Sequence, residues 1–264
     1  MKFAIGVSYC GAGMEGWQSQ PSGNTVQDHL TRALSEIGGE PIALTGAGRT
    51  DAGVHASAQV AHFETSVERP ESAWVRGVNS LLPDEIAVQW ATPVPGNFHA
   101  RYSALSRSYR YVLYSHPVRP ALLAGRTGWF HPPLDLESMR KAVDCLIGEH
   151  DFSSFRSAEC QAKSPVRIMQ SAGIHVRGAY FLFDFTANAF LHHMVRNIVG
   201  CLVYVGKGKH PPQWISELIA AQDRRLAAPT FSAEGLYLHG VRYDAHWSLP
   251  AFPPMMPFDL EFGR

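Results

Sequence analysis

The sequence predicts an α+β fold that consists of two similar halves with a cleft between them. Two observations support this prediction. Short apolar segments that alternate like strands are interspersed with amphipathic helical segments, and the order of the first half recurs loosely in the second. With 264 residues, of which 45% are apolar, the chain can also bury a substantial core. We divide it into an N-terminal half, 1–104, a C-terminal half, 105–250, and a tail, 251–264, with the boundary between the halves within 95–107.

The first half is predicted as strand, helix, strand, helix, strand. The strands are placed at 3–9, 58–64 and 86–90, and the second, short helix at 72–81. The first helix is predicted to begin after Asn24 as N-cap, with Gln27 reaching back from the third helical position. Its apolar stripe ends at Gly38-Gly39, so this helix is expected to pack on a sheet. The stripe consists of Val26, Leu30, Ala33, Leu34 and Ile37.

The second half repeats strands and helices in a similar order. A strand is predicted at 107–115, helices at 136–147, 189–205 and 213–221, a hairpin at 169–176 and 179–185 around Arg177-Gly178, and a closing strand at 236–243. The tail is rich in Pro, Met and Phe without clear periodicity. We expect the tail to lie over the surface or to be mobile.

Composition excludes several classes of protein. No apolar run approaches the roughly 18 residues of a membrane span, and the N-terminus enters a strand without a signal-peptide cleavage site, so a cytoplasmic protein without membrane association is expected. The four cysteines are scattered and form no C-x-x-C pair, which argues against a disulfide framework and a zinc knuckle. They are predicted to be buried apolar residues.

Charge is distributed unevenly along the chain. The formal net charge is zero, a poor indication of nucleic-acid binding, yet residues 86–134 contain no Asp or Glu. Arginines interleaved with aromatics are typical of phosphate contacts combined with base stacking. An equally good interpretation is a β-rich segment with solvated arginines and core aromatics. The segment contains Arg101, Arg107, Arg110, Arg119 and Arg126, the aromatics Tyr102, Tyr109, Tyr111, Tyr114, Trp129 and Phe130, and His99, His116 and His131.

The most informative segment is the glycine-punctuated loop 46–56. Its glycines allow positive φ angles and close approach to a ligand. Arg49 and Asp51 are two residues apart, so in an extended stretch their side chains project to the same side and can serve one substrate group. A simpler alternative is that Asp51 caps the following turn and Arg49 neutralises it. His55 lies four residues after Asp51, either near the carboxylate or packed locally.

The sequence 48–56, Gly-Arg-Thr-Asp-Ala-Gly-Val-His-Ala, resembles the signature loop of the tRNA pseudouridine synthase A family. The resemblance covers nearly the whole chain in order. It includes Gly16-Trp17-Gln18-Ser19-Gln20, Thr25-Val26-Gln27, Arg107-Ser108-Tyr109-Arg110-Tyr111, the segments 150–155 and 188–197, and Ala233-Glu234-Gly235-Leu236-Tyr237-Leu238.

This resemblance implies two ferredoxin-like halves that form a continuous, mainly antiparallel sheet flanked by helices, with a central active-site cleft. It implies a homodimeric enzyme that isomerises uridine to pseudouridine at positions 38, 39 and 40 in the anticodon stem-loop of tRNA. The reaction breaks the N1–C1′ bond, turns the uracil and joins C5 to C1′. It is redox-neutral, so no cofactor and no metal are expected.

The resemblance also assigns residue roles. Asp51 is the expected nucleophile. A carboxylate in a site that excludes water needs a nearby cation to remain charged, and Arg196 is the candidate. Arg49 is suited to occupy the gap left by a flipped-out nucleotide and to bind phosphate, with Tyr109 as the platform for the uracil. Leu236 is expected to pack against the base, although a leucine on a strand is more often a core residue.

Two other functions are compatible with parts of the sequence. A catalytically silent RNA-binding module or tRNA chaperone could use the same fold, but binding alone requires no carboxylate that faces a polyanion. A metal-dependent nuclease would need several carboxylates around Mg²⁺, and the loop offers one. His192-His193 is not predicted to bind metal, because adjacent helical residues point about 100° apart.

Overall fold

In the computed structural model, residues 1–252 are described, and they contain ten strands and four α-helices. The strands are β1 (Lys2–Tyr9), β2 (Leu44–Gly46), β3 (His55–Glu64), β4 (Ile86–Pro93), β5 (Ala104–Ser115), β6 (Gly128–Phe130), β7 (Gly148–Asp151), β8 (Val166–Arg177), β9 (Tyr180–Ala187) and β10 (Leu236–Tyr243). The helices are α1 (Val26–Gly38), α2 (Leu136–Asp144), α3 (Met194–Gly206) and α4 (Trp214–Ala221). The predicted α+β class, with mainly antiparallel strands and flanking helices, is confirmed. The tail beyond residue 252 lies outside the described residues.

The chain divides by its internal contacts into two compact units. The first contains Met1–Leu105 and the residues from Leu238 onward, and the second is Ser106–Tyr237. The boundary between Leu105 and Ser106 lies within β5, one residue after the boundary that the sequence predicts, between 104 and 105. The C-terminal residues differ from the sequence-based division, because 238–252 pack with the first unit.

In the first unit, β1 lies between β3 and β4 and is antiparallel to both. Strand β2 pairs with the end of β3, and β10 lies beside β3. Strand β3 begins at His55, three residues before the start of the strand predicted at 58–64. Strand β2 was not predicted, because three residues are too few to show alternation.

Helix α1 begins one residue later than predicted. Its N-cap is Thr25, whose hydroxyl accepts from the Asp28 amide at 3.2 Å and donates to the Asp28 carboxylate at 2.6 Å. The predicted partner, Gln27, instead donates to the Leu44 carbonyl. The helix ends as predicted, with Gly39 in the left-handed region at φ 68°.

The predicted helix at 72–81 contains a π-helical turn, Ala73–Gly77. This turn places Trp74 in the interior, where its ring lies 5.0 Å from that of Phe63 and 5.8 Å from that of Phe3. The aromatic contact joins this turn to β1 and β3.

Aromatic packing explains why the C-terminal residues belong to the first unit. Tyr243 and Phe252 pack on an apolar cluster that contains Trp90 and Phe98. The Trp90 and Phe252 rings are 5.5 Å apart, and the Phe98 and Tyr243 rings 5.4 Å. The Tyr243 hydroxyl donates to the Ala100 carbonyl at 2.6 Å. These contacts join residues more than 140 positions apart, which periodicity does not reveal.

In the second unit, β9 lies between β5 and β8 and is antiparallel to both. Strand β7 pairs with β8, and β6 is parallel to β5. One face of this sheet carries Tyr111, Phe183 and Ile174, which are aligned across the three strands and buried. Helix α2 packs against both β8 and α3. The predicted hairpin around Arg177-Gly178 is confirmed, with Gly178 at φ 59°.

The predicted helix at 189–205 was wrong at its start. Helix α3 begins at Met194, because His193 has φ 63°, in the left-handed region. The preceding Asn188 side chain accepts from the amides of Ile168 and Ala189 and holds this segment next to β8 as a loop. The predicted apolar positions of the helix are nevertheless buried. They are Leu191, Val195, Ile198, Leu202 and Val205.

The cysteine prediction was correct only for Cys201, which is buried. Cys10, Cys145 and Cys160 are partly exposed, and all four are free thiols. Burial raises the pKa of the Cys201 thiol to about 11, which keeps it protonated at neutral pH. Among the helices of residues 1–252, none combines the length and hydrophobicity needed to cross a membrane.

Candidate active site

The loop between β2 and β3 carries Arg49 and Asp51. Arg49 is exposed, Thr50 is buried, and Asp51 is partly exposed. This accessibility pattern matches the predicted extended stretch, in which the first and third side chains share one side. Asp51 therefore combines an accessible carboxylate with a buried neighbour that holds its backbone in place.

The backbone of the loop is fixed on both sides of Asp51. The Trp17 amide donates to the Thr50 carbonyl at 3.0 Å, and the Val54 amide donates to the Asp51 carbonyl at 3.1 Å. The Gln59 side chain donates to the Gly48 carbonyl at 2.7 Å. These hydrogen bonds hold the backbone on both sides of Asp51 in a fixed conformation.

Gly16 allows the neighbouring chain to approach the Asp51 backbone. It has φ 85°, and a Cβ at this position would lie 2.6 Å from the Thr50 carbonyl oxygen and 2.9 Å from the Asp51 carbonyl carbon. Both the φ angle and the contact require glycine here. Gly53, within the loop, also has a positive φ, 77°.

His55 is almost fully buried, and its Nδ1 accepts from the Gly11 amide at 3.0 Å. Its Nδ1 therefore caps a backbone donor of the segment that follows β1. This role agrees with the alternative in which His55 packs locally.

In the second unit, Arg196 lies in the first turn of α3. Its Nε donates to the Phe231 carbonyl at 2.9 Å, and its own carbonyl accepts from the Phe231 amide at 3.3 Å. His193 at the N-cap supplies no side-chain hydrogen bond to the first amides of the helix. A guanidinium beside the positive end of a helix dipole creates a strongly positive position, which favours a nearby anion.

Tyr109 and Leu236 lie in sequence-distant segments of the second unit. Tyr109 is buried on β5, with the Phe190 ring edge-on at 4.9 Å. Leu236 is buried directly after Gly235, whose carbonyl accepts from the Val112 amide at 2.8 Å. Both side chains are buried, and that of Tyr109 lies against an aromatic ring.

Within segment 228–236, residues 233–236 belong to a motif noted in the sequence, but Phe231, which contacts both Arg196 and Tyr111, was not singled out. The Phe231 ring lies 5.7 Å from that of Tyr111, and the Tyr111 hydroxyl donates to the Ser232 carbonyl at 3.0 Å. The segment thereby joins β5 to Arg196. Gly235 belongs to the motif quoted at 233–238, and a Cβ there would lie 2.5 Å from the Val112 carbonyl oxygen, so only glycine permits this approach.

The prediction that His192 and His193 do not bind metal assumed that both residues are helical, and the structure differs on this point. Neither residue is within α3, and their rings lie 4.0 Å apart. Their side chains therefore do not diverge as those of adjacent helical residues do.

The arginine-rich segment 86–134 combines both of its interpretations. Arg110 forms an ion pair with Asp184 on the neighbouring strand at 2.7 Å, and Tyr111 is a core residue. In contrast, Arg101 and Tyr102 are exposed, with the guanidinium carbon 5.8 Å from the ring centre. The segment therefore contains both structural and accessible residues.

A family model described as tRNA pseudouridine synthase matches residues 6–103 and 142–244. The chain belongs to this family. The matched residues include both the loop of Asp51 and the helix of Arg196. Membership of the tRNA pseudouridine synthase family assigns the chain to the isomerases that act on tRNA.

Curated relatives agree with this assignment. The chain is 59% identical over 263 residues to tRNA pseudouridine synthase A of Aromatoleum aromaticum, an alignment that covers 98% of this chain and 100% of the relative. It is 59% identical over 250 residues to the protein of the same name from Dechloromonas aromatica, covering 95% of each chain. Among solved structures, the archaeal box H/ACA sRNP Nop10-Cbf5 complex contains a chain with a TM-score of 0.36 and 11% identity, covering 87% of this chain and 61% of that one.

Proposed function

We propose that this tRNA pseudouridine synthase isomerises the uridines at positions 38, 39 and 40 of the anticodon stem-loop, with Asp51 as the nucleophile. The observation that carries the proposal is the Asp51 loop, in which an accessible carboxylate follows a buried, hydrogen-bonded Thr50. The chain's 59% identity to tRNA pseudouridine synthase A over nearly its full length supports the assignment.

The chemistry needs a carboxylate that can attack and leave. Asp51 would add to the sugar C1′ or to the uracil, or remove a sugar proton, which allows the N1–C1′ bond to break. The uracil then turns, C5 bonds to C1′, and the C5 proton is lost while N1 gains one. The product is an isomer of the substrate, so neither an oxidant nor a reductant is consumed.

The other residues would bind and orient the nucleotide. A uridine stacked in RNA cannot present its C1′, so it must be flipped out, and Arg49, exposed beside Asp51, would fill the gap and bind phosphate. Tyr109 would stack on the uracil, a contact worth roughly 1 to 3 kcal/mol, and Leu236 would pack against the base. Arg196 would keep the carboxylate ionised.

The proposal includes a homodimeric, cytoplasmic enzyme with tRNA as its partner and no membrane association. The homodimer and the tRNA partner follow from the family resemblance, and size-exclusion chromatography with light scattering tests the oligomeric state. A mass of twice 29.1 kDa is expected.

The decisive experiment incubates the purified protein with unmodified tRNA transcript in EDTA and maps pseudouridine by carbodiimide labelling and primer extension. Asp51→Asn is assayed in parallel, since it removes the nucleophile and preserves the shape of the side chain. Pseudouridine on the 3′ side of the anticodon stem-loop with the wild-type protein, and none with the variant, is the expected result.

Three other outcomes would contradict parts of the proposal. Binding of tRNA without modification by the wild-type protein would contradict the proposal and favour a silent RNA-binding module. Activity that is lost in EDTA would favour a metal-dependent reaction. Full activity of Asp51→Asn would exclude Asp51 as the nucleophile.

A further inference from the structure

The turn that follows α3 brings two lysines onto one aromatic ring. The Lys207 ammonium lies 4.0 Å and the Lys209 ammonium 4.3 Å from the centre of the Tyr204 ring. The rings of Tyr204, His210 and Trp214 are nearly parallel, and those of His210 and Trp214 are 3.8 Å apart. We call Tyr204, Lys207, Lys209, His210 and Trp214 the α3-turn cluster.

The two lysines place two positive charges in one short turn. Within residues 1–252, no carboxylate forms an ion pair with either ammonium group. The sequence from 185 to 216 contains no Asp or Glu, and two of the five lysines of the chain lie in this turn. One cation at a helix C-terminus is favoured by the helix dipole, which accounts for Lys207 at the C-cap. The helix dipole does not explain why a second cation, Lys209, lies on the same Tyr204 ring.

The positive charges of the two lysines affect the pKa of His210, which belongs to the same cluster. Desolvation lowers the pKa of His210, and the ammonium groups of Lys209 and Lys207 lower it further, against the opposite effect of Glu217. Lys207, Lys209 and His210 also line an open pocket of about 820 Å³, together with the N-cap residue Asp135. The carboxylate of Asp135 is bound to the hydroxyl and amide of Ser138.

The backbone holds the lysines in position. The amides of Lys207 and Lys209 donate to the carbonyls of Val203 and Tyr204, both at 3.0 Å. Gly208, between the lysines, has φ 74° and allows the chain to turn. The backbone of the turn is therefore fixed, and the contacts with Tyr204 place both ammonium groups on one ring, which lowers the entropic cost of binding.

We propose that the α3-turn cluster is a second RNA contact, which binds the sugar-phosphate backbone of the tRNA away from the target uridine. Two ammonium groups beside the partly exposed rings of Tyr204 and His210 match the chemistry of a polyanion with flat bases. Along α3, the cluster lies about 16 Å from Arg196, given a rise of 1.5 Å per residue. Its predicted effect is on affinity and not on the chemical step, and the inference rests on tRNA as the substrate.

The test compares the full-length wild-type protein with Lys207→Gln/Lys209→Gln in binding of tRNA transcript between 50 and 200 mM KCl. Each duplex phosphate contact contributes about 0.9 to the slope of log K against log salt, so the double variant should lose roughly 1 to 2 from this slope. Affinity at the lowest salt should fall about tenfold, because two charge-assisted phosphate contacts are lost. The turnover rate at saturating tRNA should not change.

A matched control separates position from net charge. Lys141→Gln/Lys163→Gln removes the same charge from two exposed lysines of the same unit and should leave the slope unchanged. An equal loss in both double variants, or a wild-type slope in Lys207→Gln/Lys209→Gln, would overturn the inference. Failure of the wild-type protein to bind tRNA would overturn the proposed function as well.

Lysine acetylation read by mass spectrometry gives a second measurement that needs no variant. We expect tRNA to protect Lys207 and Lys209 from acetylation and to leave Lys163 reactive. Protection by inorganic phosphate but not by tRNA would identify a small-anion site instead and would refute the RNA contact.

Discussion

The phenolic oxygen of Tyr9 and the hydroxyl of Thr50 are 2.8 Å apart in the interior of the first unit. Tyr9 is the last residue of β1, and Thr50 immediately precedes Asp51. Burial raises the pKa of Tyr9, so its hydroxyl stays protonated and available for this hydrogen bond. The bond ties the backbone next to the proposed nucleophile to a central strand.

A double-mutant cycle with Tyr9→Phe and Thr50→Val should measure this coupling. Each single variant removes one partner of this bond, whereas the double variant removes both, so the two losses of unfolding free energy should be non-additive by about 1 kcal/mol. Urea unfolding provides the stabilities. Additive losses would show that the bond contributes nothing to stability.

Gly16→Ala should impair activity more than stability. The new Cβ would meet the Thr50 carbonyl oxygen at 2.6 Å and displace the Asp51 loop, which should lower kcat by at least about tenfold, since misplacement of a catalytic group by 1 Å can cost a hundredfold. Gly13→Ala is the matched control. Gly13 has a similar φ, 79°, but a Cβ added there would have nothing within 4 Å, so only the backbone cost of about 1 kcal/mol should appear. Equal kcat values for the two variants would contradict the loop-displacement argument.

Tyr109→Phe should separate stacking from proton transfer. We predict that the Tyr109 hydroxyl assists removal of the C5 proton, in addition to the stacking role of the ring. The variant keeps the ring, so the affinity for tRNA should be preserved, whereas loss of the hydroxyl should slow product formation by about 10² or more. Single-turnover assays at saturating tRNA measure this rate. A rate close to that of the wild-type protein would eliminate the hydroxyl role and leave Tyr109 as a stacking residue.

Stability should fall between pH 6.5 and pH 4 partly because of His62. Desolvation lowers the pKa of this histidine from 6.5 to about 4, with further lowering by His99 and Lys2 against the opposite effect of Glu64. The unfolded chain therefore takes up a proton in this range that the folded protein excludes, and the folded state loses stability on the order of 2 kcal/mol as the pH falls.

His62→Asn provides the measurement for this effect. The asparagine oxygen can replace Nδ1 as acceptor for the Ala100 amide but does not titrate. Urea unfolding at several pH values should give a shallower pH dependence for the variant, whatever its stability at pH 7. Parallel curves for the two proteins would assign the acid sensitivity to other groups.

The elements best predicted from the sequence are those whose signals are local. Strand β10 was predicted at 236–243 and observed at Leu236–Tyr243, and α1 ends at the predicted glycines. The start of α3 was missed, because the apolar spacing continues through Leu191 while the Asn188 side chain and the positive φ of His193 keep the segment non-helical. Periodicity reports which positions are buried, and side-chain-to-backbone bonds decide where a helix begins.

The sequence by itself determined the α+β class, the loop of Arg49 and Asp51, and the family, because these depend on short-range patterns and on residue identity. Only the tertiary structure decided that 238–252 pack with the N-terminal unit, that Thr50 is held by Tyr9, and that Lys207 and Lys209 meet on Tyr204. The physical reason is that these features depend on close packing and on buried hydrogen bonds, most of them between residues distant in sequence. Their geometry exists only after the chain has folded.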